Sequence, residues 1–419
     1  YTDYTDHDYC HQKALETYGH EYGMHFPHFE WPAGRNKKHS PIHDKLKLLG
    51  AQFGAVNGWE RATWFARDGD DTSDAAAQTW ERDGPWEKRV REECEAVRDG
   101  VGVLDLCGFS RFELSGDGAA AWLRTQITGA LPRVGRMGLG YFADDKGRIV
   151  TEMSIMRTGD DQLTLITAAA AQWHDFEVLS RVLPEGLSLV DRTNEFSTLV
   201  VTGPKSRELF GKISDADLSL PWLTHQEAQV AGRPARLARV SFAGELGWEV
   251  HADVEHIPAV YDAVLEADAR PYGMYAMNAL RLEKGYRAWK GDLSTDYTML
   301  QGGLDRFIKW DKPDFVGKQA LLAEQQKGAT KRFATFIVDT ERSDAPYMST
   351  IWHGGDVVGE TTSGGYGYRV DASIALGVVR ADLAVPGTEL EIEIYGKRCK
   401  ARVQEDQPLW DPANERLRA

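Results

Sequence analysis

The chain has 419 residues, 42% of them hydrophobic and 27% charged, the balance of a globular protein long enough for two or three packed units. Its 49 basic and 64 acidic residues leave a net charge of −15, which disfavours nucleic acid and anionic lipid as partners, and no basic patch or RNA-type motif offsets it. No apolar run approaches the ~18 residues that a membrane span needs, so no membrane segment is expected.

Four scattered cysteines, Cys10, Cys94, Cys107 and Cys399, form no CxxC pair and are expected to be buried thiols in a reducing compartment. The chain opens on Tyr1 rather than Met, and nothing in its first 32 residues has the basic start and apolar centre of a signal peptide, so a piece of a longer chain is expected. The first 65 residues hold seven of the twelve histidines and many aromatics. His20, His25 and His28 are a conceivable metal set, but their spacing matches no standard zinc motif, and an aromatic packing arm is the expected reading.

After the Gly/Asp-rich link "ARDGDDTSDAAAQTWERDG", residues 86–99 have helical spacing and stop at a glycine before the apolar run "VGVLDL". Strands and helices then alternate to about residue 325. "FELSG" reads as strand, "GAAAWLRTQI" as helix, "GRIVTEMSIMRTGDDQLTLIT" as two strands around a turn, and "AAAQWHDFEVLSRVL" as helix. "EFSTLVVTG" is again strand, "PKSRELFGKI" helix, and "ARLARVSFAGELGWEVHAD" a hairpin. From about Thr330 the short alternating segments "RFATFIVD", "ALGVVRA" and "TELEIEIYGKRCKARVQ" predict a small β-barrel or sandwich. The fold class is α+β with a compact C-terminal β domain. Three parts are expected: a connecting arm at 1–70, a main domain at 71–325 and a barrel at 326–419.

Three stretches could carry chemistry. In "SFAGELGWEVHAD", a helix would stack Glu245 on Glu249 and place two glycines inside it, so a hairpin is the better reading. "AGELG" then supplies the turn, with Glu245 in water, and Glu249 lies within the strand, opposite in facing to Trp248 and Val250. Spacing alone makes Glu249 a solvent-facing carboxylate unless a specific donor partners it. In "MYAMNALRLEKGYRAWKGDLS", a helical pattern breaks at Gly285 and carries Arg281, whose fork could pair a carboxylate or a carbonyl-bearing ligand, although an arginine on a helix is usually a surface residue. In "DDKGRIVTEMSIM", a turn feeds a strand bearing Glu152 between Thr151 and Met153, where apolar neighbours could raise its pKa and let it handle protons, although an alternating strand exposes every second side chain anyway. No Walker loop, GxGxxG turn, GxSxG, HExxH or EF-hand loop is present, and the glycine cluster "TTSGGYGYRVDASIALGVV" reads as a hairpin between barrel strands.

The order of "LVVTGPKS", "SFAGELGWEVHAD", "NALRLEKGYRAWKGDLSTDYTMLQGGLDRFIKWDKPDFVGKQAL" and "TTSGGYGYRVDASIALGVV" resembles the folate-binding aminomethyltransferase family typified by the glycine-cleavage T-protein, over roughly residues 85–415. The front segment from "HEYGMHFPHFEWP" to "GWERATWF" is similar to the region preceding this module in dimethylglycine and sarcosine dehydrogenases, which join a flavin half to a tetrahydrofolate half. The resemblance implies a three-part aminomethyltransferase module around a central opening, with tetrahydrofolate as cofactor and FAD only on an absent partner half or subunit. It implies that Glu249, the second glutamate of the family's Y-x-G-E-x-G-x-E pattern, binds the pterin, with Arg281 beside it and Trp289 as an aromatic wall. Phe242 stands where the family has tyrosine, keeping a face and losing a hydroxyl. Glu152 stands where the family has the aspartate credited with assisting proton movement. The implied reaction is transfer of a one-carbon unit from an N-methyl amine, oxidised by the flavin half, to tetrahydrofolate, giving 5,10-methylenetetrahydrofolate, in the cytoplasm or, in a eukaryote, the mitochondrial matrix. A standalone demethylase and a binding or scaffold subunit are the rival readings, and a homo-oligomer is left open.

Overall fold

The computed structural model describes residues 6–419, so Tyr1 and the four residues after it lie outside the described residues. The arm begins with the helix His7–His20, capped by Asp6, whose carboxylate accepts the Tyr9 backbone N–H at 2.7 Å. His20 and His25 pack against Phe29 and Trp31, whereas His28 turns away to Trp86 and Tyr275. The three imidazoles therefore serve as aromatic packing, and burial pulls that of His28 down to about 4.

A hairpin follows, Ala51–Val56 with Trp59–Phe65, turning on Asn57 and Gly58, which both have positive φ as a tight two-residue turn demands. Ile42, Leu46, Ala51 and Ala62 are buried in one core with Val103, Leu199, Val201, Trp248 and Tyr261. From residue 42 onward the segment read as a connecting arm is thus built into the body.

The body holds two sheets. One runs in the spatial order Met137–Ala143, Ile149–Gly159, Gln162–Thr167, Ser110–Ser115, Ser188–Asp191. The other runs His225–Val230, Arg233–Ala238, Gly247–Asp253, Phe196–Thr202, Gly102–Asp105, Arg270–Pro271. They meet where Met137 and Met156 of the first pack on Ala238 of the second. The helix Met274–Glu283 packs Ala276, Ala279 and Leu280 with Leu104 and Val200, on the face of the second sheet opposite Trp248 and Val250.

The last third is a closed six-stranded barrel in the order Lys331–Val338, Ala372–Arg380, Asp356–Gly367, Thr350–His353, Glu389–Ile394, Lys397–Val403. Closure leaves no free sheet edge. The glycine cluster is the hairpin Asp356–Gly367 with Ala372–Arg380, as its composition predicts. Cys94, Cys107 and Cys399 are buried, but Cys10 is exposed, contrary to the expectation for all four thiols. Among the described residues no helix is long and apolar enough to cross a membrane.

Candidate active site

The stretch Ser241–Asp253 resolves into a loop and a strand. Gly244 has φ +80°, and a Cβ there would sit 2.4 Å from the Lys284 side chain, so both backbone conformation and space require glycine. Glu245 overturns its reading as a wet turn residue. Its side chain is 0% exposed, and it accepts from Arg369 Nη1 at 2.8 Å, Trp410 Nε1 at 2.8 Å and Arg416 Nε at 2.6 Å. Arg369 also pairs with buried Glu283, and its backbone N–H donates to the same carboxylate at 2.7 Å. Glu245 is a structural anion that ties the body to the barrel and to the C-terminal segment.

Glu249 is different. Trp248, Val250 and Ala252 alternate into the core, which sends Glu249 and His251 to the other face of the sheet. Its side chain is 19% exposed, and its Oε2 meets His251 Nε2 at 3.1 Å. His251 Nδ1 lies 2.9 Å from the Thr198 hydroxyl. Burial lowers the pKa of His251, so a neutral ring donates from Nε2 to Glu249 and accepts from Thr198 at Nδ1. Among the described residues no hydrogen bond occupies Glu249 Oε1. In the loop before this strand, Phe242 is 38% exposed and stacks on Tyr286, with ring centroids 5.7 Å apart.

Arg281 is buried and turned inward. Its Nε and Nη2 donate to Asn278 Oδ1 at 2.9 and 2.7 Å, and its Nη1 donates to the Tyr286 carbonyl at 3.0 Å and to Asp292 at 2.5 Å. Asp292 is itself held by Thr362 and Ser363 of the barrel at 2.6 and 2.5 Å and by the Ala288 N–H at 2.8 Å. The arginine therefore shapes the loop 286–292 through Asp292, a role that spacing does not reveal. Trp289 is only 8% exposed and shares a core cluster with Tyr141, Ile149 and Phe333, so it supports this loop from beneath.

Glu152 lies in the strand Ile149–Gly159, directly across the ladder from Tyr141. Burial pushes its carboxyl up to about 7, against the opposing pull of the Tyr141 hydroxyl and the Arg287 guanidinium, while Asp175 adds to the rise. The Thr167 hydroxyl lies 3.1 Å from the Glu152 carbonyl and 2.6 Å from buried Asp175, two acceptors that share its one proton, and this pins the strand at this residue. Arg287 stacks over the Phe333 ring at 4.2 Å, and its buried Nε has no hydrogen-bond partner. Such a carboxyl is half-ionised near neutrality and can take up or release a proton.

The loop 286–292 thus connects the two sheets' contributions: Tyr286 stacks on Phe242, Arg287 acts on Glu152 and Tyr141, and Asp292 is clamped by Arg281. Tyr141, Arg287 and His251 are the members that the sequence reading missed. The signal for Tyr141 lay in the hairpin register opposite Glu152; for Arg287 it lay six residues beyond Arg281, past the helix stop. Among the described residues no group of three or more histidine, cysteine, aspartate or glutamate side chains could hold a metal ion.

An α+β body with a closed six-stranded C-terminal barrel is the architecture of the T-protein aminomethyltransferases. Residues 42–312 match the GCVT N-terminal domain, and residues 331–411 match the glycine cleavage T-protein C-terminal barrel domain; residues 1–40 match the FAD dependent oxidoreductase central domain. The chain belongs to the GCVT family of folate-dependent aminomethyltransferases. It is 33% identical to human mitochondrial dimethylglycine dehydrogenase, over 100% of this chain and 49% of the relative. It is 32% identical to the 4-methylaminobutanoate oxidase (formaldehyde-forming) of Paenarthrobacter nicotinovorans, over 98% of this chain and 50% of that protein. The chain therefore spans about half the length of these relatives. The crystal structure of the glycine cleavage system aminomethyltransferase T from Bartonella henselae shares the fold, with a TM-score of 0.78 at 21% identity over 90% of this chain and 98% of that one.

Proposed function

We propose that the chain is the tetrahydrofolate half of an N-demethylating system, with residues 1–70 as its connecting arm, 71–325 as its folate-binding domain and 326–419 as its barrel. It would join a one-carbon unit, at the oxidation level of formaldehyde, to tetrahydrofolate, giving 5,10-methylenetetrahydrofolate. The unit would come from an N-methyl amine of the dimethylglycine or sarcosine class, oxidised by a flavin-bearing half or subunit. The similarity to dimethylglycine dehydrogenase along the whole chain supports this, as does the match of residues 1–40 to an FAD oxidoreductase domain.

The observation that carries the reading is Glu249: a carboxylate oriented by His251, partly open, with Oε1 left without a protein partner. This donor-free oxygen fits a pterin, whose edge offers N–H groups to a carboxylate. When bound, tetrahydrofolate supplies the nitrogens that take up the one-carbon unit. Phe242 and Tyr286 offer stacked aromatic surface to hold a planar ring. Glu152 holds or moves the proton, poised near neutrality by burial and restrained by Tyr141 and Arg287. Arg281 fixes the loop that carries Tyr286 and Arg287, and Trp289 packs beneath it.

Calorimetric titration of tetrahydrofolate into this chain and into its Glu249→Ala variant tests the reading. Tetrahydrofolate is expected to bind the parent, and the variant to bind at least about tenfold more weakly, the loss of a charge-assisted pair. Equal affinities would remove Glu249 from the site, and no binding to the parent would remove the folate reading.

A further inference from the structure

Arg61, in the hairpin strand Trp59–Phe65, is 7% exposed, yet among the described residues no oxygen atom accepts a hydrogen bond from it. Its Nη2 donates to the Met274 sulfur at 3.0 Å, and its buried Nε has no partner among the described residues. The other arginines buried to this degree each reach an oxygen. Arg111 donates to Glu113 at 3.0 Å, Arg239 to the Ala419 carbonyl at 2.6 Å, and Arg281 to Asp292 at 2.5 Å. A buried guanidinium without an anion is costly, and proteins keep one where a ligand completes it.

The surroundings are rigid. Glu93 accepts from the Phe65 N–H and the Gly273 N–H, both at 2.9 Å, which locks the strand bearing Arg61 onto the start of the helix Met274–Glu283. That helix carries Asn278 and Arg281 and so fixes the loop of the candidate site. Phe109 lies under the guanidinium at 5.4 Å from its centroid. Two further titratable groups face Arg61, Asp105 and Cys107. Asp105 is 3% exposed and forms no ion pair with the arginine; its polar neighbours are Ser40 and Cys107. Asp105 acts on the guanidinium only through space, so Arg61 keeps its N–H groups for an incoming carboxylate.

We propose that Arg61 is the recognition residue for a ligand carboxylate, seated between the arm hairpin and the first turn of the helix Met274–Glu283. The planar fork accepts a carboxylate bidentately, and Phe109 shields the pair from water. Two molecules bring that group: the amino-acid amine, whose cationic nitrogen Asp105 would face, and tetrahydrofolate, through its glutamyl tail. The inference rests on the folate reading only for the second source.

Calorimetry and thermal melting of the 419-residue chain and its Arg61→Met variant decide the matter. The probes are N,N-dimethylglycine against its methyl ester, and 5-formyltetrahydrofolate against a tetrahydropterin lacking the benzoylglutamate. The expected result is that at least one carboxylate probe binds the variant tenfold or more weakly, while its carboxylate-free counterpart binds both proteins alike. The ligand-free variant should melt at or above the parent's temperature, because the buried guanidinium it loses has no oxygen partner. A fall of several degrees in ligand-free melting temperature, or unchanged affinity for both carboxylate probes, would overturn the proposal. If the parent binds folate but shows no Arg61 dependence, this inference alone fails. If it binds no folate but holds dimethylglycine through Arg61, the folate reading alone fails.

Discussion

The junction around Glu245 and the site around Glu152 are both built from buried charges, and they differ in how those charges are satisfied. At the junction Arg369 is bonded to two carboxylates and two carbonyls, and Glu245 receives three donors. Nothing there is left over for a ligand. At the site the Glu152 carboxyl is held near its neutral point, Arg287 keeps a buried N–H without a partner, and Glu249 keeps an oxygen unbonded. Saturation marks a group that holds the fold; incompleteness at a fixed position marks one that waits for chemistry.

The contrast breaks most visibly with Glu245→Ala. Removing one partner leaves Arg369 and Arg416 facing a cavity, and denaturant unfolding should show a loss of about 3–5 kcal/mol. A loss below about 1 kcal/mol would mean that the junction is not the brace its bonding describes.

Next in size is Glu152→Gln, which should lower the rate of one-carbon transfer at least about a hundredfold, the ordinary share of a positioned proton-transfer group, while folate affinity is kept. In the parent, the ionised form grows as pH rises through about 7, so transfer should climb with pH and level off above that value. The same shift has a cost for folding. The carboxyl's pKa is raised above its unfolded value of 4.5, so its contribution to stability is fully present below pH 4.5 and is lost as pH rises through about 7. In Glu152→Gln both the rate limb and this slope of stability should flatten. A pH-rate profile that keeps its limb in the variant would assign the proton to another group.

The smallest effect is expected from Phe242→Tyr, which restores the hydroxyl that the family motif carries. The side chain is 38% exposed, so the added group stays hydrated and both stability and folate affinity should move by less than about 1 kcal/mol. A gain of tenfold or more in affinity would show that the missing hydroxyl is a ligand contact.

The elements and the barrel were legible because alternation and turn residues are local signals. Strand alternation also separated Glu249 from Trp248 and Val250. The same local reasoning failed for Glu245, whose partners Arg369, Trp410 and Arg416 lie 124, 165 and 171 residues further along the chain. A glutamate beside a glycine turn looks wet when its donors are that remote. The partner of Arg281 was hidden for the same reason: Asp292 is anchored by Thr362 and Ser363, 70 and 71 residues away. Arg287 was in the same quoted segment, and nothing in the spacing distinguished the arginine that braces the loop from the one that faces Glu152. The strand pattern and then the family resemblance put Glu152 forward; the cross-strand register explains why Tyr141 accompanies it.

The clamp on Asp292 has a consequence for the order in which the protein matures. Two of its donors belong to a strand that leaves the ribosome some seventy residues after Asp292 itself. Until that strand emerges and the barrel closes, Arg281 and Asp292 have only each other and the local backbone, and the loop bearing Tyr286 and Arg287 has no outer support. The nascent chain therefore completes its candidate site late, after the carboxylates on both sheets have been made. For the same reason, a hybrid that grafts a related barrel onto this body must bring hydroxyls at positions 362 and 363 to keep the centre in shape.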